Sequence, residues 1–296
     1  MNGREKGFAL LTSHLGDPSR KPLTVAQFRE LARRVVQDTP SRTVGELACE
    51  DIVRLGYDRV MANHILHLLS QEEQLLWYCQ SGKKHDCQII TRVSEDYPRL
   101  LRHRLGLDAP GCLWAKGDLQ LLKKPAVALV GSRELNPLNE AFAAEVGRQA
   151  ALQGYVLVSG NAKGADRVAQ DSCLEHGGQV VSVIADELKE HPHKENVLYL
   201  SEDDFTQAFS SQRALSRNRV IHSLGWITFV AQCTMGKGGT WDGSRKNLKN
   251  RWSPVFVLDD GLQAMQALVD MGAEPILGSQ LEDFSGLNST YNSFML

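Results

Sequence analysis

Length, composition and charge limit what kind of protein this chain can be. It has 296 residues, 42% hydrophobic and 23% charged, which is typical of a globular protein with a sizeable core. The formal net charge of -2 excludes a global attraction to nucleic acid, so binding of an anionic polymer would need a local basic patch. No apolar run approaches a membrane span and no charged-then-apolar leader is present, so we expect a cytoplasmic protein without a membrane partner.

Metal and disulfide chemistry is not expected. The cysteines include no Cys-x-x-Cys pair, which predicts reduced thiols and argues against a zinc site. His191 and His193 flank a proline near several carboxylates, but their spacing does not place ligands on one face. We therefore predict no metal and no cofactor.

The first part of the chain predicts a small helical domain over residues 1–90. Apolar residues recur at helical spacing over about 23–80, and Thr43-Val44-Gly45-Glu46 has the spacing of a capping box. This domain could be a packing cap, or it could contact nucleic acid through Arg33, Arg34, Arg54 and Arg59. An edge strand is predicted at 88–93, and the domain boundary is expected between about 85 and 100.

A strand, a turn and a helix are predicted from residue 126. The run Ala-Val-Ala-Leu-Val leads directly into Gly131-Ser132-Arg133, which indicates a buried strand followed by a turn that a ligand can approach closely. Asn136 and Pro137 suit the start of the helix. Its inner face is expected to carry Leu138, Phe142, Val146 and Ala150. An ordinary βα turn would have the same pattern, so this motif alone does not establish a ligand site.

A second unit repeats this plan. The apolar run 155–158 ends in Ser159-Gly160-Asn161-Ala162-Lys163-Gly164-Ala165-Asp166, a loop that can direct backbone N–H groups at an anion. Because neighbouring parallel strands end at one rim, both loops are expected to face the same crevice. Neither loop is a standard dinucleotide fingerprint or Walker A loop. Asp166 could start a helix, bind a ribose or base, or act as an acid or base.

The remaining elements continue the alternation of strands and helices. We predict a helix at 165–176, a strand at 179–185, an irregular polar segment at 186–211, strands at 226–231 and 254–258, a helix at 261–271 and a polar tail at 279–296. Arg217-Asn218-Arg219 lies in a predicted helix, with Arg217 and Asn218 toward the crevice and Arg219 about 100° further around. The inward residues of that helix are expected to be Leu215, Val220, Ile221 and Leu224. A third glycine-rich turn is Gly236-Lys237-Gly238-Gly239-Thr240-Trp241.

Basic residues concentrate in one part of the chain. Residues 213–251 contain only one carboxylate, Asp242, beside Arg213, Arg217, Arg219, Lys237, Arg245, Lys246, Lys249 and Arg251. Guanidinium groups beside glycine loops favour phosphate binding, although the last four residues could equally form a solvated helix face. No nucleophile–base pair is recognisable, so we do not expect an enzyme, and nucleotide hydrolysis is the disfavoured alternative.

Three ordered motifs resemble the DNA-processing protein A (DprA/Smf) family. They are Val-Gly-Ser-Arg, Ser-Gly-x-Ala-x-Gly-x-Asp and Arg217-Asn218-Arg219-Val220-Ile221, and Tyr97-Pro98-Arg99 extends the resemblance to roughly residues 96–273. The resemblance implies an α/β fold: a Rossmann-like, mostly parallel sheet with helices on both faces over 91–278, after a small helical domain similar to SAM or helix-hairpin-helix modules. Lys237-Gly238-Gly239-Thr240-Trp241 stands where the family usually has Ser-Gly-Ser, and no C-terminal winged helix is expected.

The resemblance also implies a function. It suggests a homodimer that binds single-stranded DNA through phosphate contacts and loads a RecA-type recombinase during DNA uptake or recombination, with Arg217, Arg219 and Lys237 as anchors and Trp241 as a stacking surface. The alternative is a sensor that binds a nucleotide-derived ligand in the same crevice. We expect Arg217 to matter more for binding than residues 245–251. The predicted site comprises Gly131, Ser132, Arg133, Ser159, Gly160, Lys163, Gly164, Asp166, Arg217, Asn218, Arg219, Lys237, Gly238, Gly239, Thr240 and Trp241.

Overall fold

The computed structural model describes residues 1–38 and 46–287, which form two compact units. The smaller unit comprises Met1–Glu95 and Pro110–Leu113, and the larger unit comprises Asp96–Ala109 and the chain from Trp114 onward. The capping box predicted at residues 43–46 depends on positions outside the described ranges. Within those ranges, no helix is both long and apolar enough to cross a membrane.

The smaller unit is mainly helical. Its elements are α1 Gly3–Thr12, α2 Val25–Gln37, α3 Cys49–Arg54, α4 Arg59–Leu69, α5 Glu72–Lys83 and strand β1 Gln88–Thr91. The helical pattern over 23–80 is confirmed for its described residues, and α1 is a helix that the sequence analysis did not predict. The side chain of Asn2 accepts a hydrogen bond from the Glu5 N–H at the start of α1, which is a standard N-terminal cap.

Most arginines suggested as nucleic-acid contacts in this unit have internal partners. Arg33 and Arg34 each lie 2.7 Å from Glu30, and Arg54 lies 3.3 Å from Asp38. Arg59 is exposed at the start of α4. These ion pairs favour a structural role for Arg33, Arg34 and Arg54.

The larger unit alternates strands and helices. Its helices are α6 Arg99–Leu105, α7 Pro137–Leu152, α8 Ala165–Glu175, α9 Ser211–Leu224, α10 Gly238–Asn250, α11 Gln263–Asp270 and α12 Phe284–Leu287. Its strands are the last three residues of β2 Cys112–Lys116, then β3 Ala126–Val130, β4 Val156–Ser159, β5 Gln179–Val183, β6 Val197–Ser201, β7 Thr228–Val230, β8 Val255–Leu258 and β9 Glu274–Ile276. The predicted helices and strands on both sides of the glycine loops are therefore present, with ends shifted by a few residues.

The sheet of the larger unit is mostly parallel, which confirms the predicted α/β, Rossmann-like fold. The strand order is β2-β6-β5-β4-β3-β7-β8-β9, and only β2 with β6 is antiparallel among these pairs in the described part of the chain. Strand β3 lies between β4 and β7, so the order reverses there. Right-handed crossovers that leave β3 in opposite directions place their helices on opposite faces. Ligands of open α/β sheets bind at such a reversal.

The core is formed by strands buried on both faces. All five residues of β3 are buried, as expected for a parallel strand covered by helices on each side. On α7, Phe142, Val146 and Ala150 are buried as predicted, but Leu138 is 57% exposed. Helical spacing identifies the face on which a residue lies, but it does not show whether the first turn reaches the core. Leu215, in the first turns of α9, is exposed for the same reason, at 46%.

Two predictions about polar segments are wrong. The segment 186–211 contains β6, whose five residues are all buried, although its short apolar run is surrounded by charged residues that conceal it in the sequence. The tail predicted at 279–296 does not begin at residue 279, because Leu281 and Phe284 are buried at 0% and 1% exposure, and residues 288–296 lie outside the described ranges. The Phe284 ring lies 5.0 Å from that of Phe229 and 5.6 Å from that of Tyr155. Isolated apolar residues in a polar segment can therefore still complete the core.

Phe284→Ala tests whether this segment belongs to the core. We expect a loss of about 3–5 kcal/mol in the free energy of unfolding, because the substitution removes a fully buried ring and leaves a cavity. Urea unfolding measures the loss, and Leu277→Ala, at a residue that is 54% exposed, is the control. Equal, small changes for both variants would contradict the packing described here.

Candidate functional site

Three glycine-containing loops meet at the reversal of strand order. They follow β3, β4 and β7, which are neighbours in the sheet. Together with the first half of α9, residues of these loops line a cavity of about 470 Å³. This volume lies within the range of small-ligand pockets, roughly 300–1,000 Å³. The common crevice predicted from the sequence is therefore present.

Hydrogen bonds tie the three loops together. The hydroxyl of Thr240, in the first turn of α10 after the β7 loop, donates to the Gly131 carbonyl at 2.8 Å, which joins this end of the loop to the loop after β3. The Ala165 N–H donates to the Ser132 carbonyl at 3.1 Å, and the Ser132 N–H donates to the Gln232 carbonyl at 2.9 Å. These contacts hold the crevice in shape before any ligand arrives, which reduces the entropy lost on binding.

Arg217 forms the floor of the crevice. It is 8% exposed, and its Nη1 donates to the Val183 carbonyl at 3.0 Å. Its Nη2 lies 3.9 Å from Oδ2 of Asp166. Its guanidinium packs on Gly160 so closely that a Cβ there would collide with it. Arg217 thus lies in the crevice as predicted, but it is already paired, and its contact with phosphate stays a prediction.

Burial shifts the pKa values of both Asp166 and Arg217. Desolvation raises the pKa of Asp166, and the positive charge of Arg217 opposes that rise. Desolvation likewise lowers the pKa of Arg217, against the attraction of Asp166. The Asp166 carboxylate also accepts a hydrogen bond from the Ala162 N–H at 3.2 Å. Of the roles open to Asp166, its position at the start of α8 and its pairing with Arg217 are the ones the contacts support.

Glycine is required elsewhere in the loop after β4. Gly164 has a φ of 87°, and a Cβ there would collide with the backbone carbonyls of Ser132 and Arg133. Ser159, at the end of β4, is 0% exposed. Gly160 and Lys163 border a second, smaller cavity beside the first. Ser159 and Gly164 thus shape the loop, while Gly160 and Lys163 border open space.

The loop after β7 and the rest of the α9 motif have different surroundings. Lys237, Gly238 and Gly239 line the larger cavity. Asn218 also lines it, and its side-chain amide donates to the Gly239 carbonyl at 3.0 Å. Arg219 lines neither cavity and pairs with Glu202. Its guanidinium is therefore not free to act as the predicted phosphate anchor.

The predicted stacking role of Trp241 is contradicted by its burial. Only 5% of Trp241 is exposed, and the guanidinium of Arg245 lies 5.9 Å from its ring centre. Helix α10 begins at Gly238, so Trp241 falls in the first turn and faces the interior. An exposed aromatic ring instead comes from Phe209, which is 55% exposed and lines both cavities.

Phe209 and Asp186 were not selected from the sequence. Both lie in the segment predicted to be irregular, and Asp186 lines the second cavity. The available signal was an aromatic residue directly before Ser210, which caps α9. For Asp186, the sequence signal is its position shortly after β5. Loop carboxylates are common and do not by themselves indicate a site.

Three exposed cations remain at the rim of the crevice. Arg133, Lys163 and Lys237 follow β3, β4 and β7 respectively, and each lines one of the cavities. Among the residues that the structure describes, none of the three has a carboxylate partner. Arg133 also lies near enough to Arg217 for its charge to help lower the pKa of Arg217. Convergent cations of this kind favour an anionic ligand.

Other members of the predicted basic cluster are neutralised. Arg213 lies 2.7 Å from Asp203, and Lys246 lies 2.7 Å from Asp242. Glu202 and Asp203 precede the 213–251 window, so the local excess of positive charge is smaller than the sequence suggested. No group of three or more potential metal ligands occurs in residues 1–38 and 46–287.

Comparison with known families identifies this arrangement. The model of the DNA recombination-mediator protein A family matches residues 88–284. The chain belongs to this family. The match includes all three loops and α9, so the crevice is part of the family's shared region.

Relatives and solved structures agree with this assignment. DNA processing protein DprA of Streptococcus pneumoniae is 31% identical over 58% of this chain and 66% of its own length. Protein Smf of Escherichia coli is 28% identical over 57% of this chain and 46% of its own length. The chain therefore spans about half to two thirds of the length of these curated relatives.

Two solved structures support the fold. The crystal structure of DprA from Streptococcus pneumoniae superposes with a TM-score of 0.71 at 24% identity, covering 95% of this chain and 97% of that one. DNA processing protein A from Helicobacter pylori, described for its single-stranded DNA binding mode, has a TM-score of 0.57 at 24% identity, covering 70% of this chain and 96% of that one.

Gly160→Ala tests the packing of Arg217 on the loop after β4. The new Cβ would collide with the guanidinium, which cannot move without losing its contacts with the Val183 carbonyl and the Asp166 carboxylate. Overpacking should lower the free energy of unfolding by about 1–3 kcal/mol. In an Arg217→Ala background the same change should have little effect, and Gly278→Ala is a control with nothing within 4 Å. An equal loss in both backgrounds would contradict the contact.

A buried polar network supports α9 from behind the crevice. The amide of Asn247 donates to Nδ1 of His222 at 3.1 Å and to the hydroxyl of Ser253 at 2.9 Å. The Ser253 hydroxyl also lies 2.8 Å from that of Thr228. These bonds connect α9, α10 and β7. Because His222 is fully buried, desolvation lowers its pKa to about 3.

This network predicts a pH dependence of stability. Between pH 6.5 and about 3, His222 is protonated when the chain is unfolded but neutral when it is folded. Its contribution to stability is therefore complete above pH 6.5 and is lost as the pH falls toward 3. The slope should approach about 1.4 kcal/mol per pH unit, and His222→Gln should remove it. Urea unfolding at several pH values measures the slope. An unchanged slope in His222→Gln, or an equal change in the exposed control His193→Gln, would contradict this assignment.

Proposed function

We propose that this chain binds single-stranded DNA, with the phosphates held by the crevice at β3, β4 and β7. The observation that carries the proposal is a set of three exposed cations, Arg133, Lys163 and Lys237, one from each loop, which have no carboxylate partner within residues 1–38 and 46–287. Phosphate contacts by Lys and Arg supply most of the affinity for nucleic acids. Family membership and the Helicobacter pylori protein's described binding mode support the same ligand.

An apolar surface beside these cations favours a single strand over a duplex. Phe209 and Leu215 are 55% and 46% exposed, and both line the larger cavity. Unpaired bases can stack on an exposed aromatic ring, with a contribution of roughly 1–3 kcal/mol per base. Bases within a duplex are already stacked and would not reach Phe209.

The biological role proposed here is DNA uptake or recombination. We propose that the protein is a cytoplasmic homodimer that delivers the strand to a RecA-type recombinase, and the family description, a DNA recombination mediator, supports the role in recombination. Action by binding rather than catalysis is supported at the crevice by the hydroxyls of Ser132 and Thr240, which donate to backbone carbonyls. The alternative, a sensor of a nucleotide-derived ligand, is not favoured by the relatives, which are DNA-processing proteins.

Paired substitutions distinguish the crevice from general surface charge. Arg133→Ala/Lys237→Ala should weaken binding of a fluorescent single strand at least about tenfold, because charge-assisted hydrogen bonds contribute about 1.5–3 kcal/mol each. The slope of log affinity against log salt should fall by about 1.4, or 0.7 for each lost phosphate contact. The control, Lys249→Ala/Arg251→Ala, removes the same charge from exposed positions outside both cavities.

Fluorescence anisotropy at two or more salt concentrations measures both quantities, after thermal melting confirms that the variants are folded. Equal losses for the two double variants would show that binding is diffuse surface electrostatics. Absence of salt-sensitive binding by the unmodified protein would contradict the proposed function itself.

A further inference from the structure

The second cavity beside the crevice has a different chemical character from the first. It has a volume of about 240 Å³ and lies at the carboxyl ends of β4 and β5. It shares Arg133, Phe209 and Arg217 with the larger cavity but adds Asn161, Lys163 and Asp186. Its volume is below the usual range for whole small ligands, roughly 300–1,000 Å³. It therefore suits a single planar group of a larger ligand, the rest of which is bound outside this cavity.

Asp186 is a positioned hydrogen-bond acceptor in this cavity. Nε2 of His191 donates to its Oδ1 at 3.0 Å, and the His191 ring packs 4.6 Å from the ring of Tyr199. His191 is only 13% exposed, whereas 48% of the Asp186 side chain remains exposed. The hydrogen bond from His191 lowers the pKa of Asp186. Asp186 is thus a fixed carboxylate at neutral pH, able to accept hydrogen bonds but not to donate them.

A half-exposed carboxylate distinguishes the smaller cavity from the larger one. Arg133 and Arg217 line both cavities, whereas Lys163 lines the smaller one and Lys237 the larger one, so the cations alone do not distinguish the two cavities. Asp186 lines only the smaller cavity and stays half exposed, whereas the Asp166 carboxylate at the larger cavity is paired with Arg217. A base carries no net charge and presents hydrogen-bond donors at its edge. Asp186 therefore favours a base edge in the smaller cavity, while the cations of both cavities can hold the adjoining phosphates, and Phe209 lines both cavities.

We propose that the smaller cavity is a base-recognition subsite in which Asp186 accepts hydrogen bonds from the exocyclic amino group of a base. This inference rests on the proposed binding of single-stranded DNA. Cytosine presents an N4 amino donor, whereas thymine presents the O4 acceptor at the same position. Unpaired bases expose this edge fully to protein side chains. A carboxylate in this position favours cytosine and disfavours thymine.

Two pyrimidine oligonucleotides of equal length test the proposal. The unmodified protein should bind oligo-dC at least about fivefold more tightly than oligo-dT, measured by fluorescence anisotropy at mildly alkaline pH where cytosine is unprotonated. In Asp186→Asn the ratio should fall to about one, because an amide can donate to O4 as well as accept from N4. The substitution also removes a negative charge, which strengthens binding of both oligonucleotides equally, so the ratio is the informative quantity.

Asp171→Asn is the matched control, since Asp171 is exposed on α8 and lines neither cavity. It should keep the dC:dT ratio of the unmodified protein. Binding of both oligonucleotides with equal affinity, or a preference for dC that persists in Asp186→Asn, would overturn the base-recognition proposal and leave strand binding intact. No binding of either oligonucleotide would overturn both proposals.

Discussion

The crevice depends on the contact between the Arg217 guanidinium and the backbone at Gly160. A buried charge must be paired, and here Asp166 and the Val183 carbonyl provide the partners. Those partners hold the guanidinium against position 160, where no side chain fits. The position of Arg217 on α9 therefore explains the glycine at position 160 in the loop after β4. It also explains the carboxylate of Asp166 in the first turn of α8. Arg217 also connects β5 to the floor of the crevice.

Buried and exposed cations have separate roles around this floor. Arg217 and Arg219 are held by Asp166 and Glu202 and give the crevice its shape. Arg133, Lys163 and Lys237 lie at the rim without carboxylate partners in the described part of the chain. A chain with a net charge of -2 can in this way present a local positive surface. Binding orders the exposed side chains and so costs conformational entropy. The loops beneath them are already rigid and lose little further entropy on binding.

The sequence was sufficient for the sheet and the position of the crevice but not for the surroundings of individual side chains. Short, mainly apolar runs followed by glycine-containing loops identify β3, β4 and β7, because a parallel strand buried on both faces leaves a nearly unbroken apolar run. The burial of Trp241, the exposure of Leu138 and the pairing of Arg219 with Glu202 depend on tertiary contacts that local patterns do not contain. Strand β6 and Phe284 were missed because charged residues surround them.

The central claim is that the loop segments, not the basic face of α10, contact the strand. Hydrogen–deuterium exchange with and without a short single-stranded oligonucleotide measures this directly, because bound segments become protected from solvent. We expect slower exchange in peptides that contain residues 131–133, 160–164 and 236–240, with no change over residues 245–251. Protection confined to 245–251, with the three loops unchanged, would contradict the account.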